Sequence, residues 1–195
     1  TTSPHQGDVL RVGVRAVGQR RRIKAMSYGL AYGLSAYGLS QQLGIGTDEA
    51  AGMMEDYFTR FGGIRDYLQE VVERARVDGY TQTLWGRRRY LPDLNSDNRQ
   101  RREMAERMAL NAPVQGSAAD LVKVAMLEVN RSLHDAGLRT RMLLQVHDEL
   151  VLEVGPGEQA EATAVVIEAM TGVKELRVPL EVSVGVGPDW DSAAH

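Results

Sequence analysis

Two apolar runs, at residues 142–146 and 150–154, constrain the fold of this chain more than any other feature. Only three polar residues, His147, Asp148 and Glu149, separate them. Two strands joined by so short a connection pair in antiparallel fashion, so we predict a β-hairpin with these residues at its tip. Acidic residues at a turn are usually only solvent-exposed. A stiff hairpin tip is, however, also a platform on which carboxylates can hold Mg²⁺ for phosphoryl or nucleotidyl transfer.

The elements around this hairpin predict an α+β fold. Residues 1–18 show no regular period, and we predict that they are irregular. Residues 81–91 predict a small hairpin around Trp85 and Gly86, Pro113 is expected to end a helix, and Ser117 is expected to cap the next one. Helical periodicity predicts helices at 20–33, 35–43, 47–61, 64–77, 99–111, 117–136 and 157–170, and alternation predicts a strand at 178–186. Helices therefore come first, and a portion with an antiparallel sheet and packed helices follows.

A basic and aromatic stripe marks the first predicted helix. Arg20, Lys24, Tyr28 and Tyr32 are four residues apart, so their side chains lie along one face. Two cations followed by two aromatic rings suit a nucleoside triphosphate, because the cations meet phosphate oxygens and a ring meets a sugar or base. The spacing alone leaves open a surface helix whose basic face is merely solvated.

Charge and composition exclude several classes of protein. The net charge of -3 conceals a basic front, with six Lys and Arg against one acid in residues 1–47, and an acidic rear. This asymmetry is compatible with binding phosphates in one place and cations in another. The absence of cysteine excludes disulfides and thiolate metal sites, and the four scattered histidines do not indicate a zinc site. No apolar run approaches the roughly 20 residues that span a bilayer, so we expect no membrane association.

Four segments together resemble family A DNA polymerases, the bacterial DNA polymerase I type. The spacing Arg-x3-Lys-x3-Tyr-x3-Tyr-Gly at 20–33 is similar to the fingers helix of that family. The segment 83–92 (Thr-Leu-Trp-Gly-Arg-Arg-Arg-Tyr-Leu-Pro) resembles its fingers ribbon, and 107–120 resembles the segment leading into a palm helix. The segment 144–149 (Leu-Gln-Val-His-Asp-Glu) resembles its palm carboxylate motif. All four follow the order of the family.

The resemblance implies both an organisation and a function. Residues 20–104 are expected to form fingers and residues 105–195 the C-terminal half of a palm, whereas residues 1–19 depart from the family. The implied reaction is template-directed DNA synthesis in replication and repair, in which a dNTP is joined to a primer 3′-OH by a two-metal mechanism with Mg²⁺. Primer–template DNA and dNTP are the implied partners. The complete enzyme is expected to be a cytoplasmic, nucleoid-associated monomer.

The resemblance also implies a role for each matching residue on the fingers helix. Arg20 and Lys24 would contact the triphosphate, and Lys24 would donate a proton to the pyrophosphate leaving group. Tyr28 would stack near the sugar and base, and Tyr32 would lie beside the templating base.

Further roles follow for the palm. Asp148 would hold the catalytic metal ions with Glu149 in support, and His147 would lie near the primer end. A second group would touch template and primer largely through minor-groove and sugar contacts, which read duplex geometry more than sequence. These residues are Arg107, Asn111 and Gln115.

The chain also departs from the family. No Asp-Tyr-Ser-Gln-Ile-Glu-like strand, which would carry the second metal-binding Asp, precedes the predicted fingers, and no thumb is recognisable. We therefore expect a C-terminal portion from an incomplete or disrupted reading frame, with an exposed sheet edge and no primer extension by itself. Two alternatives stay open: a fragment of a phage-type single-subunit RNA polymerase, and a non-catalytic nucleic-acid-binding module.

Overall fold

The computed structural model describes residues 9–14 (backbone), 27–30 and 33–193. The fold is mixed, with helices and antiparallel sheets, as the sequence predicts. The helices are α1 (Ala36–Leu43), α2 (Thr47–Arg60), α3 (Gly62–Asp78), α4 (Arg99–Asp135) and α5 (Gln159–Thr171), with a 3-10 helix at Pro92–Asn95. The strands are β1 (Val9–Val14), β2 (Tyr80–Gln82), β3 (Arg88–Tyr90), β4 (Arg141–Val146), β5 (Glu149–Glu153) and β6 (Val182–Gly187).

The chain divides into two compact units. One consists of Thr1–Val17 and Ala119–His195, and the other of Gly18–Ala118. Helix α4 contributes its first part to the second unit and its remainder to the first. Among the described residues, no helix combines the length and apolar character needed to cross a membrane.

A four-stranded antiparallel sheet forms the first unit, with the strand order β4-β5-β1-β6. The predicted hairpin of β4 and β5 is confirmed, with Val146 paired to Glu149 next to the tip and Arg141 paired to Glu153 at the far end. Apolar side chains from β5, the second half of α4 and α5 form its core, and Leu150, Leu152, Val129 and Val166 are completely buried. The strand that carries Glu149 therefore rests on the best-packed part of the unit.

Strand β1 corrects one prediction about the front of the chain. Residues 9–14 are not irregular, because they pair with β5 on one side and with β6 on the other. Strand β1 occupies the side of β5 opposite β4, and among the described strands β4 and β6 form the two edges of this sheet. Sequence reasoning missed β1 because this six-residue strand is defined by partners far away in the chain.

The second unit is mostly helical. Ser35 caps α1 through a hydrogen bond from the Gly38 N–H to its hydroxyl, and Gly44, in the left-handed region with φ 68°, ends that helix. A smaller core of Ala75, Leu91, Leu94, Ala105 and Ala109 joins α3 and the 3-10 helix to the first part of α4. The short hairpin of β2 and β3 follows α3 directly, since Gly79 ends that helix in the left-handed region.

Helix α4 corrects the predicted break at Pro113. The helix is continuous from Arg99 to Asp135, with Pro113 inside it. Proline removes one backbone hydrogen bond and usually costs about 3 kcal/mol in a helix interior, but tertiary packing can offset that cost. Ser117 lies inside the helix and caps nothing. Its hydroxyl accepts a hydrogen bond from the hairpin of β2 and β3 instead.

Candidate functional site

The carboxylate tip, residues His147 and Asp148 with Glu149 at the start of β5, is an open turn on a buried strand. Asp148 is exposed and Glu149 is half-buried. His147 has φ 55°, in the left-handed region that few residues other than glycine adopt. The side-chain amide of Gln145 donates to the carbonyl of His147 and closes the turn. The tip thus presents two adjacent carboxylates to solvent from a defined backbone.

The strand behind the tip makes this platform rigid. Strand β5 lies between β4 and β1, and Leu150, Val151 and Leu152 are all buried. Glu149 pairs with Val146 of β4 and with Gly13 of β1, so its backbone is flanked on both sides. A displacement of the two carboxylates would therefore disturb a well-packed core.

The donor set at the tip fits one Mg²⁺ ion. Mg²⁺ is commonly bound by one or two carboxylates together with substrate phosphates and water. Asp148 and Glu149 can provide the carboxylates. Two ions about 3.5–4 Å apart need a further carboxylate from another element. Among the described residues, no group of three or more acidic, histidine or cysteine side chains could hold a metal ion.

Strand β1 does not supply the additional carboxylate. Its end next to the tip is Gly13 and Val14, since Gly13 pairs with Glu149 whereas Val9 pairs with Glu153. Residues 9–47 contain no Asp or Glu at all. Strand β1 lies beside the carboxylate tip and precedes the predicted fingers, which is the position expected for a second metal-binding strand. Neither β1 nor residues 15–47 after it contain an acidic residue.

A row of polar residues runs along α4. Arg107, Asn111 and Gln115 are four residues apart on one continuous helix, so they share a face. Arg107 and Gln115 are exposed, whereas the Oδ1 atom of Asn111 is buried and accepts no hydrogen bond from any described residue. A buried amide oxygen without a donor is rare and indicates a missing partner. Three of the four residues predicted to contact DNA therefore share one helix face, and the fourth, His147, lies at the carboxylate tip.

The end of the predicted fingers helix lies against this row. Residues 27–30 are helical, and the bonds from Leu34 N–H to the Gly29 carbonyl and from Gly33 N–H to the Leu30 carbonyl form a Schellman ending. Gly33 has φ 70°, and a Cβ there would lie 3.1 Å from Leu110 Cδ1 and 3.3 Å from Arg107 Cγ. Tyr28 is about half exposed. Arg20, Lys24 and Tyr32 lie outside the described residues.

The three arginines of the predicted ribbon have different surroundings. Arg87 donates from Nη2 to the Gly116 carbonyl in α4, at 3.1 Å. The guanidinium carbon of Arg88 lies 4.4 Å from the ring centroid of Tyr80, which itself packs edge-on against Tyr90. Arg89 is exposed on β3. Arg87 is thus bonded to α4 although it is exposed, and sequence reasoning gave no signal for this contact with a residue 29 positions away.

The fold and these residues can now be compared with known proteins. The chain belongs to DNA polymerase family A, whose family model matches residues 9–192.

Individual relatives agree with this assignment. The chain is 67% identical over 176 residues to DNA polymerase I of Mycobacterium bovis, which covers 90% of this chain and 20% of the relative. It is 52% identical over 175 residues to the thermostable DNA polymerase I of Thermus aquaticus, covering 89% of this chain and 21% of the relative. The chain thus spans about a fifth of the length of these curated relatives.

A solved structure is similar over nearly the whole chain. This is the POL domain of Pol1 from M. smegmatis in complex with DNA primer-template and dNTP. The TM-score is 0.92 at 51% sequence identity, and the match covers 96% of this chain and 41% of the other.

Proposed function

We propose that this chain forms the dNTP-binding and primer–template-binding part of a template-directed DNA polymerase that acts in replication and repair. The observation that carries the proposal is the carboxylate tip, which presents Asp148 and Glu149 from a buried strand. Carboxylates held in this way suit nucleotidyl transfer, because they keep a metal ion beside the reacting phosphate. The similarity to a polymerase domain solved with primer-template and dNTP supports the same assignment.

Residues of the predicted fingers helix bind the incoming dNTP. Arg20 and Lys24 neutralise the triphosphate of the incoming dNTP, and Lys24 donates a proton to the pyrophosphate as it leaves. Tyr28 stacks near the sugar and base, and Tyr32 lies beside the templating base. These roles rest on the family motif, together with the exposure of the Tyr28 ring.

The duplex is bound by the row on α4 and by the hairpin. Arg107 and Gln115 are exposed and can reach DNA, and the half-buried Asn111 between them can donate from its Nδ2 to a minor-groove or sugar acceptor. His147 lies beside the primer end. Contacts of this kind test the shape of a base pair more than its identity, because the minor groove distinguishes sequences poorly.

The metal site determines whether this chain can extend a primer. Asp148, with Glu149 in support, holds one Mg²⁺, which would supply charge neutralisation at the phosphates. The complete enzyme uses two ions, and no described residue offers the additional carboxylate. We therefore propose that the 195-residue chain binds its substrates without extending a primer. The complete polymerase would be a monomer associated with the nucleoid.

Binding of a labelled primer–template tests this proposal. Affinity is measured by fluorescence anisotropy with Mg²⁺, using a primer that ends in a dideoxynucleotide, with and without the dNTP complementary to the next template base. The complementary dNTP should tighten binding, and the other three dNTPs should not. Lys24→Ala should abolish this tightening, whereas Lys123→Ala, which removes the same charge from α4, should retain it.

Two results would favour the alternative functions. Strongly salt-dependent binding without any effect of dNTP, and with Lys24→Ala equal to wild type, would contradict the proposal in favour of a non-catalytic nucleic-acid-binding module. Equal or greater tightening by the matching ribonucleotide would favour an RNA polymerase fragment.

A further inference from the structure

The turn between β2 and β3, residues 83–87, is clamped to α4 and is here called the ribbon tip. The Leu84 N–H donates to Ser117 Oγ at 2.9 Å, and Arg87 Nη2 donates to the Gly116 carbonyl at 3.1 Å. Both acceptors lie in the helical turn that immediately follows Gln115. One turn of helix thus receives two hydrogen bonds from a hairpin about 30 residues earlier in the chain.

The ribbon tip is also held together by hydrogen bonds among its own residues. Thr83 Oγ1 accepts from the N–H groups of Trp85 and Arg87, at 3.3 and 3.2 Å. The Thr83 N–H donates to the Arg87 carbonyl at 3.0 Å, and the Gly86 N–H donates to the Thr83 carbonyl at 2.9 Å. Thr83 and Ser117 are both buried. The bonds to α4 therefore start from a turn that is itself hydrogen-bonded, and the burial of Ser117 makes the bond from Leu84 costly to lose.

Close packing accompanies these bonds. A Cβ at position 116 would lie 2.7 Å from Thr83 Cγ2, closer than real carbon atoms approach. Glycine at this position is what allows the ribbon tip to reach the helix. The clamp consequently depends on Gly116 for space and on Ser117 and Arg87 for its two hydrogen bonds.

The clamped stretch is the part of α4 with the weakest intrinsic tendency to be helical. Pro113 removes a backbone hydrogen bond, and Gly116 costs about 1 kcal/mol relative to alanine. These two residues flank Gln115, and Asn111 lies one turn earlier. Without a contact from outside the helix, this part of α4 would be locally unstable, and Asn111 and Gln115 would not be held in a fixed orientation.

We propose that Ser117 and Arg87 are positioning residues for primer–template recognition. Through the ribbon tip they fix the turn of α4 that carries Gln115 and, one turn earlier, Asn111, so that both side chains meet the duplex in one register. This role rests on the proposed function, because it assumes that the row on α4 binds DNA. The ribbon thereby acts on the duplex indirectly, through the helix.

A double-mutant cycle on DNA affinity tests the coupling. Ser117→Ala should weaken binding of a matched primer–template several-fold, up to about tenfold, as expected for one buried hydrogen bond. Ser117→Thr keeps the hydroxyl and should restore at least part of the affinity. In a chain that already carries Asn111→Ala and Gln115→Ala, Ser117→Ala should change affinity less than about twofold, because little remains to be positioned. Equal weakening in both backgrounds would overturn the proposal.

Amide hydrogen exchange provides a readout that needs no DNA. Ser117→Ala should speed exchange at residues 114–120, whereas Ser132→Ala, the same change further along α4, should leave that stretch unaltered. Unchanged exchange in Ser117→Ala would overturn the clamp even if DNA binding were reduced. If the wild-type chain binds no primer–template, the proposed function fails, and the exchange experiment still decides whether the clamp exists.

Discussion

The ribbon tip and the carboxylate tip are both hairpin turns, yet they are held in opposite ways. The ribbon tip is bonded to a helix outside its own hairpin, through Ser117 and the carbonyl of Gly116. Among the described contacts, the carboxylate tip is closed by Gln145, from its own hairpin. The first turn contacts a neighbouring helix, whereas His147 and Asp148 of the second are exposed.

This difference shows where rigidity has to come from in each case. Few contacts can hold the exposed residues of the carboxylate tip directly, so its rigidity comes from the buried strand β5 that follows it. A clamped tip can have exposed strands, and all three residues of β3 are indeed exposed. Mutations should therefore disturb the carboxylate tip most from its core and the ribbon tip most at its contact with α4.

The largest effect is expected in the core behind the carboxylate tip. Leu150 is completely buried in β5, and Leu150→Ala should lower the free energy of unfolding by about 2–5 kcal/mol because it leaves a cavity. Leu144→Ala, on the exposed side of β4, should cost less than about 0.5 kcal/mol. Urea denaturation of the two variants measures both values. Equal losses would show that β5 does not support the tip in the way described.

A smaller effect is expected at the clamp. Gly116→Ala should destabilise the chain by about 1–3 kcal/mol, because the new methyl group collides with Thr83. Gly52→Ala is the matched control, since a Cβ at that position of α2 meets nothing within 4 Å. It should stabilise the chain by about 0.5–1 kcal/mol through helix propensity. A stabilising Gly116→Ala would contradict close contact between the ribbon tip and α4.

A third variant tests the strain at the carboxylate tip. Because His147 has φ 55°, His147→Gly should raise the free energy of unfolding by up to about 1 kcal/mol. Thermal unfolding at neutral pH measures the change. A stabilising His147→Gly would indicate that the histidine side chain serves a contact with a ligand and does not stabilise the fold. A loss of stability would show that its side chain packs in the fold.

The last prediction concerns a dependence of stability on pH, confined to acidic conditions, that arises from Glu158. Hydrogen bonds from the Arg139 N–H, and from the hydroxyl and N–H of Thr140, lower the pKa of Glu158 from its ordinary 4.5 to about 2. The pKa is lower in the folded state, so the carboxylate stabilises the fold fully above about pH 4.5 and loses this contribution as the pH falls towards 2. These bonds fasten the start of β4 to the N-terminal end of α5.

Chemical denaturation between pH 5 and 2.5 checks this expectation. The wild type should lose stability across that range, and Glu158→Gln should have a shallower slope because its side chain does not titrate. Glu161→Gln, in the first turn of α5, provides the comparison and should resemble the wild type. Identical slopes for wild type and Glu158→Gln would contradict the role of this carboxylate.

The sequence predicted those parts of the fold that depend on local patterns. The hairpin of β4 and β5 and helix α1, predicted at 35–43 and observed at Ala36–Leu43, were both readable from spacing. Errors occurred where a distant partner decides the structure. Strand β1 is defined by β5 and β6, and α4 passes through Pro113 although local propensity predicts a break there.

The candidate site shows the same division. The segments around Asp148, Asn111 and Tyr28 could be identified by family resemblance, because their residue types and spacing are specific. Ser117 was misread as a helix cap, since its real partner is the backbone of Leu84, 33 residues away. No local signal distinguishes Arg87, which bonds to α4, from its neighbours Arg88 and Arg89.

Primer extension tests the central claim most directly, namely that Asp148 and Glu149 form only part of the catalytic metal site and that β1 adds no carboxylate to it. The chain is incubated with Mg²⁺, all four dNTPs and an end-labelled primer–template, and the products are separated by length. We predict no extension, although the matching dNTP tightens binding. Extension by the wild type that is lost in Asp148→Asn would contradict this account, because it would show that the chain holds a complete metal site.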